Sequence, residues 1–244
     1  MILAILQARL SSTRLPGKVL KPILGAPMIV RQIERIRRST RIDQLVVATS
    51  VDASDDRLVA ELQERGIEVR RGPLDDVVAR FEQVIEEFRP HSVVRLTGDC
   101  PLTDAFVIDA VIDSHRSSGS DYTSNTLQPT YPDGLDAEVF TIAAFARLVS
   151  LPLTVREREH VTLGMYERAT EFDLASVSQQ ANHSDLRWTV DVAADLDFAR
   201  AVYAQLYDEN NGFDQAAILA LLDRIPSLNR TALDLARNAG SYQK

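Results

Sequence analysis

Short apolar runs alternate with longer amphipathic stretches through the first half of this chain. Residues 2–6 are uniformly apolar and read as a buried strand. Residues 28–37 carry apolar positions at helical spacing, and 45–48 form a β-rich run. A helix is predicted over 55–65, where Asp55 and Asp56 suit the positive N-terminal end. A short strand follows at 67–69. Residues 75–88 then place Val77, Val78, Phe81, Val84 and Ile85 on one helical face, and 93–96 read as a further strand. This alternation predicts an α/β fold with a mainly parallel sheet covered on both faces.

After Gly119 the rhythm changes. Short β-like pieces and turn signals occupy 121–140, with helices expected near 142–148 and over 157–168. Strands are expected at 172–177 and 186–189, a strong helix at 193–206, and weaker helical character from 213 to 223, fading toward Lys244. The pattern fits one sheet-centred domain over 1–244 with an inserted subregion at about 121–180, rather than two independent domains.

Composition narrows the class. The chain has 244 residues, 45% hydrophobic and 25% charged, which is ordinary for a globular protein. Its net charge of −8 argues against a general nucleic-acid partner. The lone Cys100 excludes an intrachain disulfide and a cysteine-based metal cluster. The opening apolar run leads straight into a polar loop, unlike a signal peptide, and no run approaches a membrane span. The expected location is the cytoplasm, with no membrane partner.

Against that acidic background, residues 7–18 stand out. Arg9, Arg14 and Lys18 share a Pro/Gly-punctuated loop with Ser11, Ser12 and Thr13, directly after the first strand. Ligands of α/β proteins bind at the carboxyl ends of strands, and such cations suit polyphosphate oxygens; the plain alternative is a solvated basic loop. Asp99 follows another strand through Thr97 and Gly98, where the missing side chain would let a nucleotide or metal approach the backbone. A carboxylate there can hold magnesium or simply close a turn. Asp191 precedes the helix at 193 and reads equally as a cap; Asp195 and Asp197 read as first-turn helix charges. Arg71 and Gly72 precede the acidic helix start Asp75–Asp76, with Arg80 one turn further. Residues 131–136 are rich in turn formers, yet Asp133 and Asp136, with Asn125, could hydrogen-bond sugar hydroxyls. Glu159 and His160 could line the same pocket.

As an ordered set, Gln7-Ala8-Arg9, Ser12 to Lys18, Arg71-Gly72 with Asp75-Asp76-Val77, Leu96 to Leu102, Tyr131 to Asp136, Glu159 to Thr162 and Thr189-Val190-Asp191 resemble the CMP-sugar-acid synthetases. These are the 3-deoxy-manno-octulosonate and acylneuraminate cytidylyltransferases, and the resemblance is strongest to their spore coat polysaccharide biosynthesis F-type relatives. It implies a Rossmann-like nucleotide-diphospho-sugar transferase fold and a homodimer formed through 121–180. It also implies a nucleotide site at Gln7, Ala8, Arg9, Ser12, Arg14, Lys18, Arg71, Arg80, Thr97 and Gly98. Asp99 and Asp191 would be the Mg²⁺ ligands. The segment at 71–76 departs from the Ser-Gly-Thr-acid-Arg pattern of the octulosonate enzymes, which leaves the base open. The implied reaction transfers CMP from CTP, or another NTP, to a sugar acid or related small-molecule acceptor, with loss of pyrophosphate. The rival reading is a glycosyltransferase or a non-catalytic nucleotide-binding module of similar fold. The basic loop suits a free triphosphate better than a finished nucleotide sugar, and release of pyrophosphate from CTP separates the two.

Overall fold

The computed structural model describes residues 1–208 and 212–231. Its elements, in chain order, begin with β1 (Ile2–Gln7), the hairpin strands β2 (Pro22–Ile23) and β3 (Ala26–Pro27), α1 (Met28–Ile36) and β4 (Gln44–Ser50). There follow α2 (Asp56–Glu64), β5 (Val69–Gly72), α3 (Val77–Phe88), β6 (Ser92–Thr97), α4 (Ala105–Ser118), β7 (Tyr122–Ser124) and β8 (Glu138–Thr141). Then come α5 (Ile142–Val149), α6 (Val155–His160), α7 (Leu163–Tyr166), β9 (Leu174–Ser176), α8 (Ala193–Leu206) and α9 (Gln215–Arg224).

Among the described residues, the main sheet runs β5-β4-β1-β6-β8-β7-β9. The first four of these strands are mutually parallel, β8 runs antiparallel to both β6 and β7, and β9 lies parallel to β7. The mixed, mainly parallel sheet expected from the pattern is therefore present. Alternation along β1 divides the core. Leu3 and Ile5 pack with Phe81, Tyr122 and Phe140 on one face, while Ala4 and Leu6 pack with Ile29, Leu96 and Trp188 on the other. The chain leaves β1 toward β4 and β5, then returns to the opposite side of β1 as β6. The order thus reverses at the β1–β6 junction, where α/β sheets open a crevice at their carboxyl ends.

Several elements differ from the sequence expectation. Helix α4 was not anticipated; Asp104 caps it through the Phe106 amide and Gly119 closes it in a left-handed conformation. The helix expected over 157–168 starts earlier and breaks. A Thr154–Glu157 capping box opens α6, and Val161 at φ 45°, ψ −64° separates it from α7. Such a φ is costly for a β-branched residue, and full burial of its side chain holds it there. The third strand of the parallel set begins at Val69, two residues beyond the expected start. Among the described residues, 186–189 form no strand; they make isolated bridges, Asp133 with Arg187 and Leu186 with Thr231. Their side chains are apolar enough for a strand, but they run under the site as a tether between β9 and α8. The expected fading of helical character toward Lys244 falls outside the described residues.

Candidate active site

The loop after β1 is built to aim one lysine inward. The Ser12 and Gly17 amides both donate to the Leu10 carbonyl, at 2.8 and 3.0 Å. Gly17 takes a left-handed φ of 68°, which glycine adopts without the steric cost of a side chain, and starts a 3₁₀ turn over Lys18–Leu20. Asp55, fully buried, accepts from the Leu10 amide at 2.7 Å and from the Ser50 amide at 3.2 Å, so the end of β4 anchors the loop. An acid expected to serve only a helix start is thus a loop anchor.

Lys18 is buried, and its Nζ makes three donations. They reach Asp99 Oδ2 at 3.1 Å, Asp191 Oδ1 at 3.1 Å and the Val190 carbonyl at 2.8 Å. Arg14, at the loop's exposed rim, pairs with the same Asp191 Oδ1 at 2.9 Å. The Val190 amide donates to the Asp99 carbonyl at 2.8 Å, which ties the segment before α8 to the end of β6. Arg14, Lys18, Asp99 and Asp191, scattered over 178 positions of sequence, therefore converge beside the β1–β6 junction. Burial pushes the Asp99 carboxyl up, but the Lys18 ammonium and hydrogen bonds from Thr97 and Lys18 outweigh it and hold the group at about 2. Burial pushes Lys18 down, and the two carboxylates more than offset this, so it stays charged. The neighbouring Cys100 thiol is pushed up by burial and by Asp99, Asp136 and Asp133, which places both loop acids near this cluster and keeps the thiol neutral.

The other expected residues take varied places. Gln7 accepts from Arg95 Nε at 3.0 Å, and Arg95 is in turn paired with Glu138. Arg9 meets Glu159 at 3.4 Å, which links the basic loop to the end of α6. Ser12 is half-buried, its hydroxyl 3.4 Å from the Leu15 amide. His160 is half-buried on the strained side of α6, and burial and Arg95 push its imidazole toward the neutral form. The Thr97 carbonyl accepts from Gln32 at 2.8 Å.

Four placements differ from expectation. The space left by Gly98 is taken by Ala8, whose Cβ would stand 2.9 Å from a side-chain carbon at Gly98, so this glycine serves close packing of two loops. Arg80 is buried and spends its guanidinium on the Pro73 and Leu74 carbonyls, which clamps the loop before α3. Arg71 donates to the Ser50 and Asp52 carbonyls and pairs with Asp56, so it braces the end of β4. Asn125 is fully buried, donating to the Leu135 carbonyl at 2.8 Å and accepting from the Ala137 amide at 2.9 Å; it shapes the loop from within.

One residue at the cluster, Arg187, was not anticipated. Arg187 reaches Asp133 at 3.1 Å and Asp191 Oδ2 at 2.7 Å. Asp195 is the first-turn helix charge expected of it, and it is also buried, accepting from the Asp191 and Val192 amides at 2.9 and 3.1 Å. The spacing Arg187, Asp191, Asp195 is a sequence signal of sorts, but only the fold shows that the charges face one another. Among the described residues, no three His, Cys, Asp or Glu side chains are grouped to hold a metal. Two hard oxygen donors, completed by phosphate and water, are what magnesium accepts.

Known proteins similar to this chain give its family. Residues 3–220 match the family model described as cytidylyltransferase. The spore coat polysaccharide biosynthesis protein SpsF of Bacillus subtilis (strain 168) is 33% identical over 231 residues, 92% of this chain and 95% of that one. A 3-deoxy-manno-octulosonate cytidylyltransferase of Anaeromyxobacter dehalogenans (strain 2CP-C) is 36% identical over 114 residues, 46% of each chain. The solved structure of a cytidylyltransferase from Leptospira borgpetersenii serovar Hardjo-bovis superposes with a TM-score of 0.87 at 27% identity, covering 93% of this chain and 95% of that one. A basic loop and paired acids at the sheet's switch point, on a chain matched almost end to end, identify it as a member of the cytidylyltransferase family, enzymes of CTP-dependent nucleotidyl transfer.

Proposed function

We propose that this protein transfers CMP from CTP to a hydroxyl of a sugar acid or related hydroxylated or phosphorylated acceptor, with magnesium, releasing pyrophosphate. The observation that carries the reading is the three-way junction at Lys18 Nζ, which holds Asp99 and Asp191 together beside the basic loop. Lys18 and Arg14 neutralise the two carboxylates. A triphosphate is the stronger draw for both cations, because each gains charge-assisted contacts to several oxygens. As they turn to the phosphates, Asp99 and Asp191 are left as an ionised oxygen pair suited to a dication. Magnesium held there would neutralise charge developing at the α-phosphoryl group. Arg14 and Lys18 would stabilise the departing pyrophosphate. No side-chain nucleophile is required, since the acceptor hydroxyl attacks directly.

Asp136 and His160 are the residues of the 131–136 and 159–162 segments assigned to the acceptor, supported by Asp136's proximity to Cys100 and by His160's half-burial near Arg95. Glu159 would join them when Arg9 moves to phosphate. We assign the protein to the cytoplasm, where CTP is made, and no helix of the described residues is long and apolar enough to cross a membrane. A homodimer through 121–180 is supported by β9, which ends the sheet and offers an outer edge. The test is a pyrophosphate-release screen of four NTPs against sugar acids and polyol phosphates. Release with CTP and one acceptor class is expected. Turnover of a finished nucleotide sugar without pyrophosphate would replace this reading with glycosyl transfer.

A further inference from the structure

Arg187 is only 1% exposed, yet it lies on an irregular segment rather than in a regular element. The arms of its fork go to different stretches of chain. Nη1 donates to Asp133 Oδ2 at 3.1 Å, and Nη2 donates to Asp191 Oδ2 at 2.7 Å and lies 3.6 Å from Asp195 Oδ2. The backbone reinforces this cross-link. The Asp133 amide donates to the Leu186 carbonyl at 2.9 Å, and the Trp188 amide donates to the Asp133 carbonyl at 2.6 Å. The Arg187 amide itself is held by the Arg230 carbonyl at 2.9 Å.

The two oxygens of Asp191 therefore have separate duties. Oδ1 receives Lys18 and Arg14, the cations that a triphosphate would draw away. Oδ2 receives the buried Arg187 guanidinium. A triphosphate that drew Lys18 and Arg14 away would release Oδ1 while Oδ2 stayed on Arg187. A planar fork held at both ends sets the carboxylate's rotation, which a lysine point charge cannot do.

We propose that Arg187 is a positioning residue that presents Asp191 Oδ1 to the metal–nucleotide complex, and that Asp133 acts through Arg187 by holding the far arm of the fork. This moves Asp133 from acceptor contact to support of the metal-side carboxylate. The inference rests on the cytidyl-transfer reading given above. Groups that orient metal ligands typically change metal affinity by roughly 10–100-fold when altered, with little effect on ligands bound elsewhere.

The experiment uses Mn²⁺ as the probe, followed by electron paramagnetic resonance with saturating CTP, on wild type, Arg187→Lys and Asp133→Asn. Melting temperature and calorimetric CTP affinity without metal are recorded in parallel. Arg187→Lys keeps the charge but cannot span both carboxylates. It should weaken CTP-dependent Mn²⁺ binding roughly tenfold or more while metal-free CTP affinity stays within about twofold. Asp133→Asn should shift Mn²⁺ binding the same way by a smaller factor. Folded Arg187→Lys with wild-type Mn²⁺ affinity would overturn the assignment. If that variant does not fold, Asp133→Asn decides: unchanged Mn²⁺ affinity there overturns it as well. Absence of CTP-dependent Mn²⁺ binding in the wild type would instead remove the cytidyl-transfer site on which the inference stands.

Discussion

Lys18 is the residue on which the site turns, because one ammonium group satisfies two acids and a carbonyl. Charge-assisted contacts of this kind are worth ~1.5–3 kcal/mol each. Lys18→Ala and Arg14→Ala should therefore each weaken CTP binding by one to two orders of magnitude, measured by calorimetric titration. Arg14→Ala should leave the melting temperature close to wild type, since its side chain sits at the rim. Undiminished CTP affinity in both variants would show that the loop does not hold phosphate. Lys18 also has a signature in acid. Asp99 sits at about 2 in the folded protein against 3.8 for the free side chain, so it stabilises the fold above pH 3.8 and that contribution is lost as pH falls toward 2. In Lys18→Met, burial acts on Asp99 without its main counter-charge, and the contribution is already missing at neutral pH. The stability gap between the two proteins, read from urea midpoints, should be widest near neutrality, begin to close as pH falls through the raised Asp99 pKa of the variant, and vanish below about 2. A gap independent of pH would mean that Lys18 does not hold Asp99 ionised.

At the scale of elements, the site is assembled by irregular segments pinned between regular ones. The 131–136 loop touches the 186–190 tether so closely that Gly134, at φ +110°, would put a Cβ 2.6 Å from the Thr189 amide. Gly134→Ala should cost about 1–3 kcal/mol from backbone strain alone, and more from the contact. Differential scanning fluorimetry should register a fall of several degrees, with reduced CTP-dependent metal binding because the tether leads directly into Asp191. An unchanged melting temperature would show that the loop and tether are not packed as described. The break at Val161 belongs to the same scale. It ends α6 just past Glu159, the residue that pairs with Arg9.

For the whole molecule, the sheet order puts β1 and β6 side by side and sends their carboxyl ends to one crevice, and the two faces of the sheet supply separate cores. Trp188, the chain's single tryptophan, is fully buried between Arg187 and Thr189 and donates its amide to Asp133. Its emission should be that of a buried indole and should change in intensity when CTP and Mg²⁺ bind together, more than with CTP alone. A spectrum indifferent to both would argue against rearrangement around Asp191. At this scale also, sedimentation equilibrium should give a dimer. A strict monomer at high concentration would leave β9 as a plain sheet edge.

The order of the main elements was legible in the chain because it rests on local periodicity: the 3.6-residue repeat of α1, α3 and α8 and the apolar runs of β1, β4 and β6 survive any tertiary context. The basic loop was legible too, since its cations stand out in an acidic chain, and the ordered motifs pointed to cytidyl transfer. Local pattern could not reveal what each polar side chain faces. Asn125, Arg80 and Asp195 have the composition of binding or surface groups, but the fold buries them on backbone partners. Residues 186–189 read as a strand in sequence, but among the described residues they make isolated bridges rather than a ladder. The convergence of Lys18, Asp99, Asp191 and Arg187 was decided only by tertiary structure. Hydrogen bonding between groups up to 173 positions apart depends on strand order, and strand order is a property of the assembled sheet.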